Sequence, residues 1–141
     1  MENWLRRIKK FLSYSLTEKM LIAEAFCVVL LIRVGLTILS FNRFRHLYAS
    51  LSQPTAVANI SDKRINQYTW AIERVSGSLS AVCLPQALAL KFFLRHDKMT
   101  QLVIGVEKSK GFSAHAWVEK NGRILIGDSP QLNFQPLWKW Q

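Results

Sequence analysis

The Asn121-Gly122 dipeptide constrains the fold of this chain most, because it separates two runs in which apolar and polar residues alternate. Such a pair favours a two-residue type I′ turn, in which both residues adopt a positive φ. The pairing of the flanking strands then follows by counting outward from the turn. The predicted register is Lys120–Arg123, Glu119–Ile124, Val118–Leu125, Trp117–Ile126, Ala116–Gly127 and His115–Asp128.

The last of these pairs, His115–Asp128, joins two side chains of the kind used in catalysis. Opposed residues on a hairpin have Cβ atoms about 4.5–5.5 Å apart, which lets the imidazole of His115 bond to the carboxylate of Asp128. A carboxylate in that position fixes the histidine tautomer and stabilises the imidazolium. Cys83 supplies the nucleophile that the pair lacks. Each residue alone also suits a structural role, Cys83 and His115 in the core and Asp128 in a turn. Together they predict a Cys-His-Asp site for acyl transfer.

Cys83 lies at the predicted start of a helix that runs to about Arg95. Pro85 suits the first turn of that helix, where a missing N–H costs nothing. The positive end of the helix dipole stabilises a thiolate, and free backbone N–H groups there can stabilise an oxyanion. The helix is apolar nearly all round, which predicts a central, buried element.

Composition fits one small domain. The 141 residues carry 19 basic and 9 acidic side chains, for a net charge of +10. That balance favours an acidic partner such as nucleic acid, an anionic membrane or an acidic peptide, although a dispersed excess also suits a solubilising surface. The basic residues are spread along the chain rather than massed in a tail, and we expect no nucleic-acid partner.

The cysteines and histidines show no metal-ligand spacing. Neither a CxxC nor an HExxH motif is present, and no Gly-rich phosphate loop occurs. We therefore expect no metal, no cofactor and no nucleotide site. Cys27 lies in an apolar helical run and is expected to be a small core residue. A free catalytic thiol suits a reducing cytoplasm, which is the expected location.

Residues 20–41 are strongly apolar, but Glu24 and Arg33 interrupt them. A membrane-spanning helix needs about 20 predominantly apolar residues with few charges. A buried core helix is therefore the first interpretation, and an interfacial or membrane-associated helix is the alternative. Glu18 and Lys19 follow the basic N-terminal residues and no small-residue cleavage site is evident, which argues against a signal peptide.

Periodicity predicts helices followed by strands, an α+β pattern. Thr17 is the expected N-cap of the long apolar helix, and Ser61 or Asp62 that of a later one. The tail, 129–141, shows no period. We expect one domain, 1–141, with a helical N-terminal subregion, 1–60, and a catalytic core, 61–141. The predicted helices are 3–12, 18–39, 42–51, 63–75 and 83–95, and the predicted strands are 101–107, 114–119 and 123–127.

Several segments resemble lasso-peptide biosynthesis B proteins, the maturation peptidases of lasso peptides, which have a transglutaminase-like core. The likeness covers about residues 10–130 and is most specific where Cys83-Leu-Pro combines with His115-Ala-Trp-Val-Glu. The other matching segments are 16–19, 41–45, 80–90, 102–106 and 122–128.

The resemblance implies a papain/transglutaminase-like fold and a peptidase that removes the leader from a ribosomally made precursor through a thioester. It assigns Cys83 as the nucleophile, His115 as general base and then acid, and Asp128 as the orienting acid. The chain has no room for the leader-recognition module of fused members, so it resembles the split, peptidase-only form. A separate leader-binding protein and the lasso cyclase are the implied partners, besides the precursor peptide.

Two other functions fit the same residues. An amidase, a transglutaminase or another acyltransferase also works through a thioester, and the acceptor that separates these reactions cannot be identified from sequence. A non-catalytic helical adaptor is the third hypothesis. It would bind an acidic peptide or a membrane surface through residues 1–45. Membrane association is the less favoured of the partner interpretations.

Overall fold

The structure, a computed structural model, describes residues 2–107, 113–127 and 134–140, with side chains from Trp4 onward. Helices precede strands in the described residues, which confirms the predicted α+β class. The helices are α1 (Glu2–Leu12), α2 (Leu16–Ile38), α3 (Phe41–Leu51), α4 (Asp62–Ser76) and α5 (Cys83–Phe93). The strands are β1 (Thr100–Glu107), β2 (Ser113–Lys120), β3 (Arg123–Ile126) and β4 (Gln135–Trp140).

The start of α2 is set by a capping box at Ser15, not by Thr17 as predicted. Ser15 Oγ accepts from the backbone N–H of Glu18 at 3.3 Å, and the Glu18 carboxylate accepts from the Ser15 N–H at 2.8 Å. This reciprocal pair needs the acid three residues after the cap, a spacing that Ser15 has and Thr17 lacks. The bond from the Ser15 N–H, and a second one that the Ser15 hydroxyl donates to the same carboxylate at 2.9 Å, lower the pKa of Glu18.

The central element is α5, as its all-round apolar surface predicted. Ala87, Leu88, Ala89 and Leu90 are buried, and the helix packs against α2, α4 and the sheet. It ends at Phe93, two residues before the predicted Arg95. The core therefore lies between this helix, its two helical neighbours and one face of the sheet.

One face of α2 is buried and the other is exposed. Leu21, Ala25, Val29 and Ile32 recur at helical spacing and enter the core. Cys27 lies on the opposite side and is exposed, so its predicted core position is wrong. The helix is long and apolar enough to cross a membrane by length and composition, yet only 22% of its most apolar 18-residue window is buried within the protein. The predicted buried helix is thus buried along one face only.

The described strands form one antiparallel sheet in the order β3-β2-β1-β4. Strand β4 was not predicted, because the tail showed no period. Its register pairs Leu102 with Trp140 and Ile104 with Trp138. Pro136 is tolerated because β4 is an edge strand, where a missing N–H need not break a ladder.

The hairpin turn forms as predicted, but the register beyond it does not. Asn121 and Gly122 have φ values of 51° and 78°, the positive pair that a type I′ turn requires. The pairs next to the turn, Lys120–Arg123 and Glu119–Ile124, are confirmed. The register then shifts between Val118 and Glu119, and Val118 lies opposite Ile126 instead of Leu125. Such a bulge inserts one extra residue into a strand, and here it brings two buried side chains, Val118 and Ile126, together.

A buried carboxylate joins the segment before α4 to the sheet. Asp97 is fully buried and accepts from Lys120 Nζ at 2.7 Å and from the backbone N–H groups of Ile60 and Met99 at 3.0 Å each. Lys120 also donates to the Ile60 carbonyl at 2.9 Å. Burial opposes the charged carboxylate, but these hydrogen bonds together hold the pKa of Asp97 below its ordinary value.

Replacing Asp97 with alanine is expected to destabilise the fold by about 3 kcal/mol, because Lys120 is left without its buried partner. The measurement is denaturant unfolding. Asp62→Ala is the matched control, since Asp62 pairs with Arg123 at 3.0 Å on the surface, where such a pair contributes at most about 1 kcal/mol. Equal losses in the two variants would contradict the structural role of Asp97.

The Asp97 effect is also expected to depend on pH. A carboxyl whose folded pKa lies below its unfolded value, near 4, contributes its full stability above that pH and loses it as the pH falls through the folded pKa. The stability difference between the parent and Asp97→Ala should therefore shrink as the pH drops below about 4.

Candidate active site

Cys83 is the first residue of α5, as predicted. Val82 precedes it as the N-cap and makes no side-chain capping bond, because valine has no acceptor. The backbone N–H groups of the first turn have no partner within the helix and point outward from its N-terminus. The half-buried Cys83 thiol thus lies where a helix end stabilises both a thiolate and an oxyanion.

Arg33 holds the chain that leads to the thiol. Its guanidinium, on α2, donates to the backbone carbonyls of Leu79 and Ser80. Ser80 has a φ of 48°, a left-handed conformation in which a non-glycine residue needs support. In the sequence, Arg33 stands out only as an interruption of an apolar run. The charge of Arg33 could have indicated this role, since a cation within an apolar helix needs a partner.

Gln86 also holds the segment before Cys83. Its Nε2 donates to the carbonyl of Ala81 at 3.0 Å, which ties the residues before Cys83 to the first turns of α5. This bond holds the segment before Cys83 against the start of α5.

His115, on β2, is oriented by a backbone carbonyl. Its Nε2 lies 2.6 Å from the Gly127 oxygen. A carbonyl oxygen only accepts, so Nε2 carries the proton, and in the neutral ring Nδ1 holds the lone pair. The ring also stacks on Phe134, with centroids 5.0 Å apart, and on Trp117, at 6.3 Å. Both the tautomer and the plane of the imidazole are therefore fixed.

Gly127 is the residue that sequence analysis missed, because it was counted only as one position of the hairpin register. Its φ is +82°, and a Cβ there would lie 2.6 Å from the Ala116 carbonyl oxygen. A side chain would thus meet both backbone strain and a rigid neighbour. Glycine is required here, and it brings its own carbonyl to His115.

Cys83 and His115 line one cavity of about 400 Å³, between the N-terminus of α5 and strands β2 and β3. A larger hollow, about 900 Å³, includes the other cysteine, Cys27, and His96. Cys27 sits in the middle of α2, where the backbone N–H groups are used by the helix and none is left for an oxyanion. The remaining residues around the smaller cavity are Glu73, Val82, Gln86, Ile124, Leu125, Ile126 and Gly127.

Asp128, the third predicted site residue, lies outside the described residues. Its placement opposite His115 rested on an uninterrupted hairpin register, and the bulge at Val118 removes that argument. Gly127 precedes it directly and is in contact with His115. Among the residues that the structure describes, no cluster of three or more His, Cys, Asp or Glu side chains could hold a metal ion.

The family comparison fits this geometry. The model of the transglutaminase-like superfamily matches residues 28–139, which include α5, all of the sheet except Trp140, and the three predicted site residues. No curated protein and no solved structure matches the chain significantly. Members of this superfamily are usually cysteine-dependent enzymes, with peptidase-like or acyltransferase-like activities, and the five helices and small antiparallel sheet agree with its fold. The chain therefore belongs to the transglutaminase-like superfamily.

Proposed function

We propose that this protein is a cysteine peptidase that removes the leader peptide from a ribosomally synthesised lasso-peptide precursor. The observation that carries the proposal is the cavity shared by Cys83, at a helix N-terminus, and His115, whose Nε2 is bonded to a carbonyl. The resemblance of the cysteine and histidine segments to lasso-peptide B proteins supplies the substrate class. The superfamily match supports the coarser activity.

In the first step, His115 takes the proton of the Cys83 thiol and the thiolate attacks the carbonyl carbon at the leader/core junction. The carbonyl oxygen gains the negative charge, and the N–H groups of the first turn of α5 are the donors available to it. The imidazolium then protonates the leaving amine, the C–N bond breaks, and the core peptide departs with a free N-terminus. The leader remains on Cys83 as a thioester.

In the second step, His115 takes a proton from water, and the resulting hydroxide attacks the thioester carbonyl. The C–S bond breaks, the imidazolium returns its proton to the Cys83 thiolate, and the new carboxylic acid of the leader loses its proton to solvent. Because Nε2 of His115 is engaged by Gly127, Nδ1 is the nitrogen that exchanges protons with Cys83 and water in this mechanism. Both ring nitrogens are then in use, so Asp128 is proposed to stabilise the imidazolium through the charge of its carboxylate and not through a hydrogen bond to the ring.

The partners in this proposal come from the resemblance. A separate leader-binding protein presents the precursor, and a lasso cyclase takes the freed core N-terminus. Cytoplasmic location suits both the free thiols, Cys27 and Cys83, and a precursor delivered by the ribosome.

The direct test is mass spectrometry of a lasso precursor peptide incubated with the protein and a leader-binding partner. We expect one cut at the leader/core junction, absent with Cys83→Ala and retained with Cys27→Ala, which removes the other free cysteine. An uncut peptide, or a cut that survives Cys83→Ala, would refute the peptidase. An acyl group transferred to an added amine, without hydrolysis, would leave the site catalytic and make the protein an acyltransferase.

Gly127→Ala is expected to slow cleavage by about 10²-fold, because a small displacement of its carbonyl misplaces the His115 ring. Gly122→Ala is the matched control. Gly122 also has a positive φ, +78°, but a Cβ there meets nothing within 4 Å. Circular dichroism verifies folding, and steady-state rates give the comparison. A folded Gly127→Ala variant that cleaves at the parental rate would show that the carbonyl does not position the histidine.

A further inference from the structure

Helix α1 separates apolar and basic residues onto two faces. At 100° per residue, five apolar side chains occupy about a third of its circumference, and the four basic ones occupy the rest. The apolar side chains are 37% to 65% exposed, so nothing in the described chain covers this face. They are Trp4, Leu5, Ile8, Phe11 and Leu12, and the basic residues are Arg6, Arg7, Lys9 and Lys10.

The outer face of α2 is a second exposed apolar surface. Leu16, Leu31 and Ile38 are more than 70% exposed, and Met20 and Val34 lie on the same side of the helix. The opposite face packs into the core, so α2 is held along the protein surface and does not stand free of it. The start of α2 is tied to the end of α1, since Lys19 Nζ donates to the Leu12 carbonyl at 3.1 Å.

Basic residues predominate around this surface, and Glu24 is the exposed acid on the outer face of α2. No Asp or Glu occurs in residues 3–17 or 25–61, whereas Arg43 and Arg45 on α3 add to the four basic residues of α1. Phe41, Leu47 and Leu51 on α3 are also exposed. A helix with a basic face and an uncovered apolar face lies in the plane of a lipid interface, its cations among the headgroups.

We propose that α1, with the outer faces of α2 and α3, docks the protein peripherally on an anionic lipid bilayer. A protein partner seated on the apolar side chains would leave the basic face of α1 without a role, whereas an anionic interface engages both faces at once. The inference does not depend on the peptidase reaction.

The test is co-sedimentation of the purified chain with vesicles of phosphatidylcholine alone or of phosphatidylcholine mixed equally with phosphatidylglycerol. We expect pelleting with the mixed vesicles, release as salt is raised, and little binding to phosphatidylcholine alone. Leu31→Asp should abolish pelleting. Leu137→Asp should not, because Leu137 has the same 71% exposure but lies on β4.

The contribution of charge to vesicle binding is tested separately. Reversing Lys9 and Lys10 to Glu should weaken binding by roughly tenfold or more, whereas reversing exposed Lys98 should not. Equal binding to both vesicle types, or none to either, would overturn the proposal. A stable dimer in solution that Leu31→Asp dissolves, with no vesicle binding, would also overturn it and assign the surface to a second copy of the chain.

Discussion

The candidate site depends on how α5 packs against β2. Ala87 and Ala89 are fully buried and small, which allows the helix and the sheet to approach closely. In the last turn of α5, the buried Lys91 Nζ donates to the Thr100 carbonyl at 2.8 Å and so joins the helix to the start of β1. Burial opposes the charged amine and lowers the pKa of Lys91, and the carbonyl and hydroxyl oxygens of Thr100 replace the water that the amine loses. These contacts fix the position of α5 on the sheet. Cys83 and His115 therefore line the same cavity.

Polar side chains and backbone carbonyls, rather than a dense set of catalytic side chains, hold the reacting groups in place. Arg33 donates hydrogen bonds to two carbonyls in the segment before Cys83, and the Gly127 carbonyl orients the imidazole of His115. Both contacts depend on the surrounding fold. Arg33 reaches its acceptors only when α2 is packed in place, and the position of Gly127 depends on the β2–β3 bulge that precedes it. A substitution that disturbs the core would therefore displace the backbone at the site, and with it the reacting groups. The same α2 faces the core on one side and presents an apolar surface on the other, so catalysis and membrane docking would share one helix.

Sequence predicted the features that local chemistry decides. The Asn121-Gly122 turn, the start of α5 at Cys83 and the burial of that helix all follow from short-range patterns, and all are present. The bulge could not be predicted, because it depends on which of Leu125 and Ile126 fits the core beside Val118. Strand β4 was missed since its pairing with β1 is long-range and its own pattern is weak. The Cys27 prediction failed because an apolar helix does not reveal which of its faces the fold will bury.

The measurement closest to the central claim is the rate at which iodoacetamide alkylates Cys83 at neutral pH, in a Cys27→Ala background. Alkylation consumes the thiolate, and in this account His115 takes the thiol proton. We expect His115→Ala, once shown to be folded, to slow alkylation of Cys83 by at least about tenfold, in keeping with general-base assistance. An equal rate with and without the imidazole would contradict the pairing of Cys83 with His115, and with it the proposed mechanism.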